Sequence, residues 1–519
     1  MLRNNLSRCQ AAVAVLTLFI LPAANAADFA LLDAASVQKV IQNQHAAWEA
    51  QDNWVSQLPK DQIIRMLGVQ TPPDNTAEFS APAILHTNKV AVGGLDWRNK
   101  DGVNWVSPIL NQGNCGSCVA FASVATLETQ FNITSAIPGL NQSFSTQALF
   151  VCGGGACEFG WQPELASQYL KNTGVPDEAC APYTMGATGN TVECGSVCSD
   201  ATSRNTRIVT YRQPSAGTKD INSVKAALAH GPLMTTLMVY ADFLTYHKGV
   251  YKHVTGTMLG GHAISIIGYD DASRSWLIRN SWGNDWGNNG FANISWDDVS
   301  GVSNETWSFD VPTNQGYITV RNPHGRAFIS GNVDFQAESS FPQTNAVALA
   351  ILNPAGQTVK TLSCASSPCT VTLDTTSLAD GRYEVVAEAD WSGGKTLSEH
   401  EQFFIFNAKP AMNLTYTMAD STDLTKPLVD RIVFNLVSTT GGSVPLSTIR
   451  FHAAQNGQEV YTTHANIVLP TMTMGWRTNT VPDGAYDIWF TGEITAGSNV
   501  ATFESAHTQV TTKNGTKKK

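Results

Sequence analysis

Seven of the ten cysteines lie between residues 115 and 198, two more stand close together at 364 and 369, and Cys9 is alone near the N-terminus. Clustering of this kind constrains a fold severely wherever thiols oxidise, because each bridge pins two segments to within about 6 Å. The first 26 residues indicate such a compartment. Arg3 and Arg8 precede an apolar run from Ala11 to Leu21, followed by Ala24-Asn25-Ala26, the layout of a cleaved export signal. A run of about 11 apolar residues is too short for a bilayer, which takes roughly 20. The expected location is therefore secreted or periplasmic, and Cys9 leaves with the signal. The remaining cysteines, Cys115, Cys118, Cys152, Cys157, Cys180, Cys194, Cys198, Cys364 and Cys369, are odd in number, which suggests four disulfides and one free thiol.

A length of 519 residues predicts two to four domains, at roughly 100 to 200 residues each. The net charge of -10 gives no general attraction for nucleic acid or anionic lipid; only the 513–519 tail, ending Lys517-Lys518-Lys519, is basic. No later segment approaches spanning length, so no membrane-spanning helix is expected.

Residues 27–90 carry helical spacing at Leu31, Val37, Val40 and Ile41 and again at Ile63, Ile64 and Leu67, before Pro72, Pro73 and Pro82 interrupt it. Residues 91–315 are rich in glycine, cysteine and tryptophan and mix helical with strand patterns. Beyond 320 the chain reads as all-β, with short runs at Val347–Leu352, Tyr383–Ala387 and Ile432–Leu436 between turn residues. Thr376-x-Leu378-x-Asp380-Gly381-x-Tyr383 is echoed by Asn479-x-Val481-x-Asp483-Gly484-x-Tyr486 at an offset of 103, which predicts two immunoglobulin-sized sandwiches, 320–408 and 409–512. Cys364 and Cys369, with Pro368 between, suit a short structural loop in the first.

Gln112-Gly113-Asn114-Cys115-Gly116-Ser117-Cys118 stands before a helical pattern in which Phe121, Val124, Leu127 and Phe131 share one face. Cys118 then sits at the helix's positive end, which favours the nucleophilic thiolate. A thiol of this kind needs a base, and His262 stands at the mouth of the apolar strand Gly260–Tyr269. Asn280 follows the apolar Trp276-Leu277-Ile278 run and is able to hold one imidazole tautomer, with Trp282 and Trp286 to shield that bond. A structural disulfide at Cys118 or a satisfied structural histidine at 262 explains each motif singly; the three in this order point to chemistry.

The cysteine signature, with a His and then an Asn far downstream, resembles that of the papain family. The run Asn280-Ser281-Trp282-Gly283-x-x-Trp286-Gly287-x-x-Gly290-Phe291 is similar to the family's, and Tyr240–Phe243, Gly249–Tyr251 and His253–Met258 resemble cathepsin B. The resemblance implies a two-lobed α+β protease domain, helical left lobe and β-barrel right lobe. It implies Cys118 as nucleophile, His262 as general base and acid, Asn280 as orienting residue and Gln112 as oxyanion donor. It also implies disulfides Cys115–Cys157, Cys152–Cys194 and Cys180–Cys198, leaving Cys118 free. Substrate contacts are implied at Gly160, Phe159, Gly261 and Trp282, and Glu305 is placed at the floor of the pocket for the second residue before the scissile bond. Residues 27–90, with Trp48, Asn53 and Arg65-Met66-Leu67-Gly68, resemble a short cathepsin B prosegment that inhibits by running backwards through the cleft.

Three departures matter. Val119 stands where the family has tryptophan, and Cys157-Glu158-Phe159-Gly160 replaces Cys-Asn-Gly-Gly. The stretch between Cys180 and Cys194 lacks the histidines of cathepsin B's occluding loop, so an endopeptidase is expected in place of a dipeptidase. Polypeptides are the expected substrates, with no metal or organic cofactor in the mechanism. The β modules are expected to meet a surface, a polysaccharide or the protease itself, or to be spacers. The rival reading is a catalytically silent scaffold acting as an adhesin or carbohydrate-binding protein.

Overall fold

The computed structural model describes residues 32–70, 93–140, 142–217, 219–313, 316–323, 327–398, 400–408, 413–418, 422–429, 431–439, 446–468, 471–478, 481–496 and 498–514. The expected export signal, Leu31, the prolines at 72, 73 and 82, Asn479 and Lys517–Lys519 lie outside them.

In the N-terminal segment, Asp33 caps helix α1 (Ala34–Gln44) by accepting from the Ser36 N–H, and His45 ends it in the left-handed conformation. Val37 and Ile41 lie one turn apart and are buried together with Ile63 and Met66 of helix α2 (Lys60–Met66), against the β-sheet of the following domain. Between the helices, Trp48–Ala50 forms an edge strand antiparallel to Tyr246–Tyr251. Trp48 packs on Tyr246 and Tyr251 at centroid distances of 6.1 and 5.1 Å.

The domain beyond has a helical layer, α3 (Cys118–Thr134), α4 (Thr146–Cys152) and α5 (Pro163–Asn172), and a nine-stranded sheet. The sheet runs Trp48–Ala50, Tyr246–Tyr251, Phe291–Ser295, Ser275–Arg279, Met258–Asp270, Leu233–Tyr240, Glu305–Asp310, Thr210–Ala216, with Gly94–Asp96 paired to Met258–Asp270. Sequence spacing assigned α3 one apolar face, yet every residue from Cys118 to Thr129 is buried. Its many small residues allow close approach on all sides, and its polar groups are satisfied within the core. The Ser123 hydroxyl donates to the Val119 carbonyl at 2.8 Å, and Thr126 hydrogen-bonds Ser265 of the sheet at 2.9 Å. Bridges join Cys115 to Cys157, Cys152 to Cys194, Cys180 to Cys198 and Cys364 to Cys369; Cys118 is the free cysteine among the described residues.

The C-terminal region holds four further sheets over two separate cores. The first core, around Phe335, Leu349 and Phe403, lies between a three-stranded sheet (Ile318–Asn322, Asn332–Ser339, Cys369–Asp374) and a six-stranded one containing Thr344–Leu352 and Gly381–Trp391. The second, around Phe434, Phe451 and Trp476, lies between sheets of three and five strands. The echo at offset 103 is reproduced in side-chain bonding. Tyr383 donates its hydroxyl to the Ala379 carbonyl and Tyr486 to that of Pro482. Asp380 accepts from the Asn407 N–H and Asp483 from the Asn514 N–H, each at 2.8 Å. The Asn407 and Asn514 amides donate to the carbonyls of Thr375 and Thr478, each at 3.0 Å. Among the described residues no helix is long and apolar enough to cross a membrane.

Candidate active site

Ser117 is the N-cap of α3 and Cys118 its first helical residue, so the thiol stands at the helix entrance. The strand Met258–Asp270 carries His262, and Asn280 follows the neighbouring strand Ser275–Arg279, whose Arg279 pairs with Ser265. This pairing brings the His262 Nε2 to 2.8 Å from the Asn280 Oδ1. The same oxygen accepts from the Ser281 N–H at 2.8 Å, which an amide nitrogen cannot do, so the Asn280 amide is oriented and His262 carries its proton on Nε2. Among the described residues the His262 Nδ1 has no hydrogen-bond partner. Trp282 stacks on the imidazole at a centroid distance of 4.7 Å and 28° and is itself packed edge-on by Trp286, burying the His262–Asn280 pair.

Gln112 is held on the same side by two bonds to Ser281, its N–H to the Ser281 carbonyl at 2.9 Å and the Ser281 hydroxyl to its Oε1 at 2.7 Å. Its Nε2 donates to the carbonyls of Cys115 at 2.9 Å and Met66 at 2.8 Å. The second bond shows where the N-terminal segment goes. Residues 66–70 thread the cleft: Trp161 N–H donates to Gly68 O at 2.8 Å, Gln70 N–H to Trp161 O at 3.1 Å and Val69 N–H to Gly261 O at 3.1 Å, with Val69 parallel to Trp161. The fit demands glycine. A Cβ on Gly160, whose φ is +78°, would lie 1.8 Å from the Gly68 carbonyl oxygen, and one on Gly68 1.9 Å from that of Gly116. The Phe159 carbonyl accepts from the Gln70 side chain at 3.2 Å, and the Trp282 carbonyl from the Trp54 indole at 2.8 Å.

Under this cover Cys118 and His262 have no exposed surface. Burial pushes the Cys118 thiol up to about 11, although the N–H groups of Ala263, Gly68 and Val119 pull the other way. Burial drives the His262 imidazole down to about 4, against the Asn280 bond that favours its charged form. The thiolate expected from the helix end is therefore outweighed in this closed form: both groups are neutral near pH 7, because the desolvation cost of a charge exceeds the helix-terminus gain.

Glu305 opens the strand Glu305–Asp310, half-buried beside Thr236, which pairs with Ala263 next to His262. Burial raises its carboxyl, and the Glu164 carboxylate adds to the rise. Glu158 sits at the rim with Thr191 as its partner at 2.9 Å. Val119 is buried in the helical core. Sequence reading missed Tyr183. Its hydroxyl donates to the Gln112 carbonyl at 2.7 Å, lies 2.7 Å from the Ser117 hydroxyl and so ties both ends of the Gln112–Cys118 loop together. The one signal was its place three residues after Cys180, whose bridge to Cys198 anchors that stretch.

A buried thiol at a helix entrance that the Ala263 N–H reaches, a tautomer-fixed imidazole on the adjacent His262 and an amide donor on the loop leading to the thiol define a thiol-dependent acyl-transfer class of protein. Residues 93–308 match the family described as papain family cysteine protease. Cathepsin B-like CP2 of Giardia intestinalis is 35% identical over 243 residues, covering 45% of this chain and 79% of that protein. Cathepsin B-like protease 1 of Arabidopsis thaliana is 30% identical over 302 residues, covering 50% and 78%. Among solved structures, proCathepsin B S9 from Trypanosoma congolense aligns with a TM-score of 0.47 at 22% identity, over 55% of this chain and 99% of that one. The chain belongs to the papain family of cysteine proteases, and these relatives are of its cathepsin B-like kind.

Proposed function

We propose that the chain is an exported zymogen of a cysteine endopeptidase, in which Cys118 attacks the peptide carbonyl, Gln112 and the Cys118 N–H hold the oxyanion, and His262, oriented by Asn280, protonates the leaving amine and then activates water. One observation carries this reading: the free cysteine, the bare His262 Nδ1 and the Gln112 donors converge on the stretch of cleft that residues 66–70 fill. Residues 27–90 act as the prosegment. Their strand and helices anchor them on the sheet, and the parallel course at Trp161 agrees with a passage opposite to that of substrate. The protease domain spans 91–315 as two lobes, with immunoglobulin-like modules at 320–408 and 409–512 and a basic tail at 513–519. Joint retention of Cys118, His262, Asn280 and Gln112 favours an enzyme over a silent scaffold.

The stretch between Cys180 and Cys194 contains no histidine to hold a substrate's terminal carboxylate, which supports internal cleavage. The processed enzyme is expected to cut a peptide blocked at both ends at an interior bond. No cleavage, or release of terminal dipeptides from unblocked peptides alone, contradicts the proposal.

Glu305 supports a preference for Arg two residues before the scissile bond, since a half-buried carboxylate gains a bidentate partner there. Glu305→Ala is expected to lower kcat/KM for an Arg-Arg reporter by about tenfold relative to Phe-Arg, the size of one charge-assisted pair. An unchanged ratio removes Glu305 from the pocket.

A further inference from the structure

The first β module is fastened to the protease domain by charges that neither side could leave buried alone. Helix α5 begins just past Gly160 and Trp161 of the cleft wall, and at its far end Lys171 is ion-paired with Glu401 of the module. Their side chains are 3% and 10% exposed. Arg321, 8% exposed, donates to the Lys171 carbonyl at 3.0 Å and the Ile208 carbonyl at 3.4 Å, and its Nε donates to Glu338 at 3.0 Å. Glu338 also pairs with Arg207 of the protease domain at 3.4 Å, and the Thr319 hydroxyl donates to the Val209 carbonyl at 3.1 Å. The contact thus joins protease-side cations, Lys171 and Arg207, to module-side carboxylates, with Arg321 capping two carbonyls of the protease domain.

Removing one member of a buried pair strands the other charge, whereas replacing both with apolar groups is tolerated. Helix α5 itself fits the same conclusion. Leu165, Ala166 and Leu170 are buried, but so are Ser167, Gln168 and Lys171, a distribution that a surface helix with one apolar face would not show.

We propose that the first β module is a permanent subunit of the catalytic unit, bound to the protease domain through Lys171, Arg207 and the carbonyls of Lys171, Ile208 and Val209, and retained there after the connecting chain is cut. The docking surface on the protease domain takes this chain's own residues 318–405, and the second module follows as cargo of the first.

The test uses the full chain carrying Cys118→Ala, to prevent self-digestion, with the recognition sequence of a site-specific protease inserted between Thr313 and Gly316. After cutting, the two fragments are expected to co-elute on gel filtration at micromolar concentration. Glu401→Gln is expected to weaken their association by about 100-fold or more, and the double change Lys171→Met with Glu401→Met to restore co-elution. Separation of the unsubstituted fragments, or an affinity unchanged by Glu401→Gln, overturns the proposal.

Discussion

Replacing His262 with alanine is expected to lower kcat/KM of the processed enzyme by about 10⁴-fold or more, the scale on which acyl-transfer enzymes lose rate when the base of a nucleophile pair is removed. The expectation follows from proton placement. Asn280 accepts from the Ser281 N–H and from His262 Nε2, so the imidazole's other nitrogen is the one left bare, and it alone can take the thiol proton and return it to the leaving amine. The loss should fall on kcat, because His262 is held beneath Trp282 with its Nε2 committed to Asn280, while residues 66–70, the cleft's present occupant, are held by Gln112, Trp161 and Gly261. Steady-state kinetics on a blocked peptide measures it. A loss under about tenfold would mean that another group supplies the base.

The second large effect is on the thiol before activation. With Cys118 at about 11 in the closed form, against an ordinary 9.0, about 100-fold less thiolate exists at neutral pH than for a free cysteine. Alkylation of the unprocessed chain by iodoacetamide at pH 7 should therefore be at least about 100-fold slower than that of the processed enzyme. The sign is fixed by the cause. Withdrawal of residues 66–70 returns water to the site, which lowers the thiol and raises the imidazole, and each change favours the charged pair. In the unprocessed chain the rate should go on rising with pH toward about 11. Equal rates before and after processing would show that the segment does not control the nucleophile.

The candidate site was legible because it is written in short runs. Gln112–Cys118 is one loop entering one helix, and His262 and Asn280 sit on strands whose apolar stretches declare themselves, so order along the chain carried most of the geometry. The Asp-Gly-x-Tyr pattern at Tyr383 and its echo at Tyr486 were legible for the same reason, since the Asp-Gly step and the tyrosine are local. What depends on distant partners was not. Tyr183 touches Gln112 across 71 residues, and Lys171 meets Glu401 across 230, with no periodicity to announce either. The all-round burial of α3 was missed because Ser123 and Thr126 read as polar, while their hydroxyls are satisfied inside the core. The neutral state of Cys118 was missed because a helix end acts locally, whereas the cover that overrides it comes from residues 66–70.

The central claim, that Cys118 is the nucleophile and the N-terminal segment its block, is tested most directly by mass spectrometry of the chain after exposure to an epoxide thiol inhibitor before and after processing. The account predicts one adduct, on the peptide containing Cys118, formed after loss of residues 27–90 and absent from Cys118→Ala. An adduct elsewhere, or none on a processed chain that still hydrolyses peptides, would contradict it.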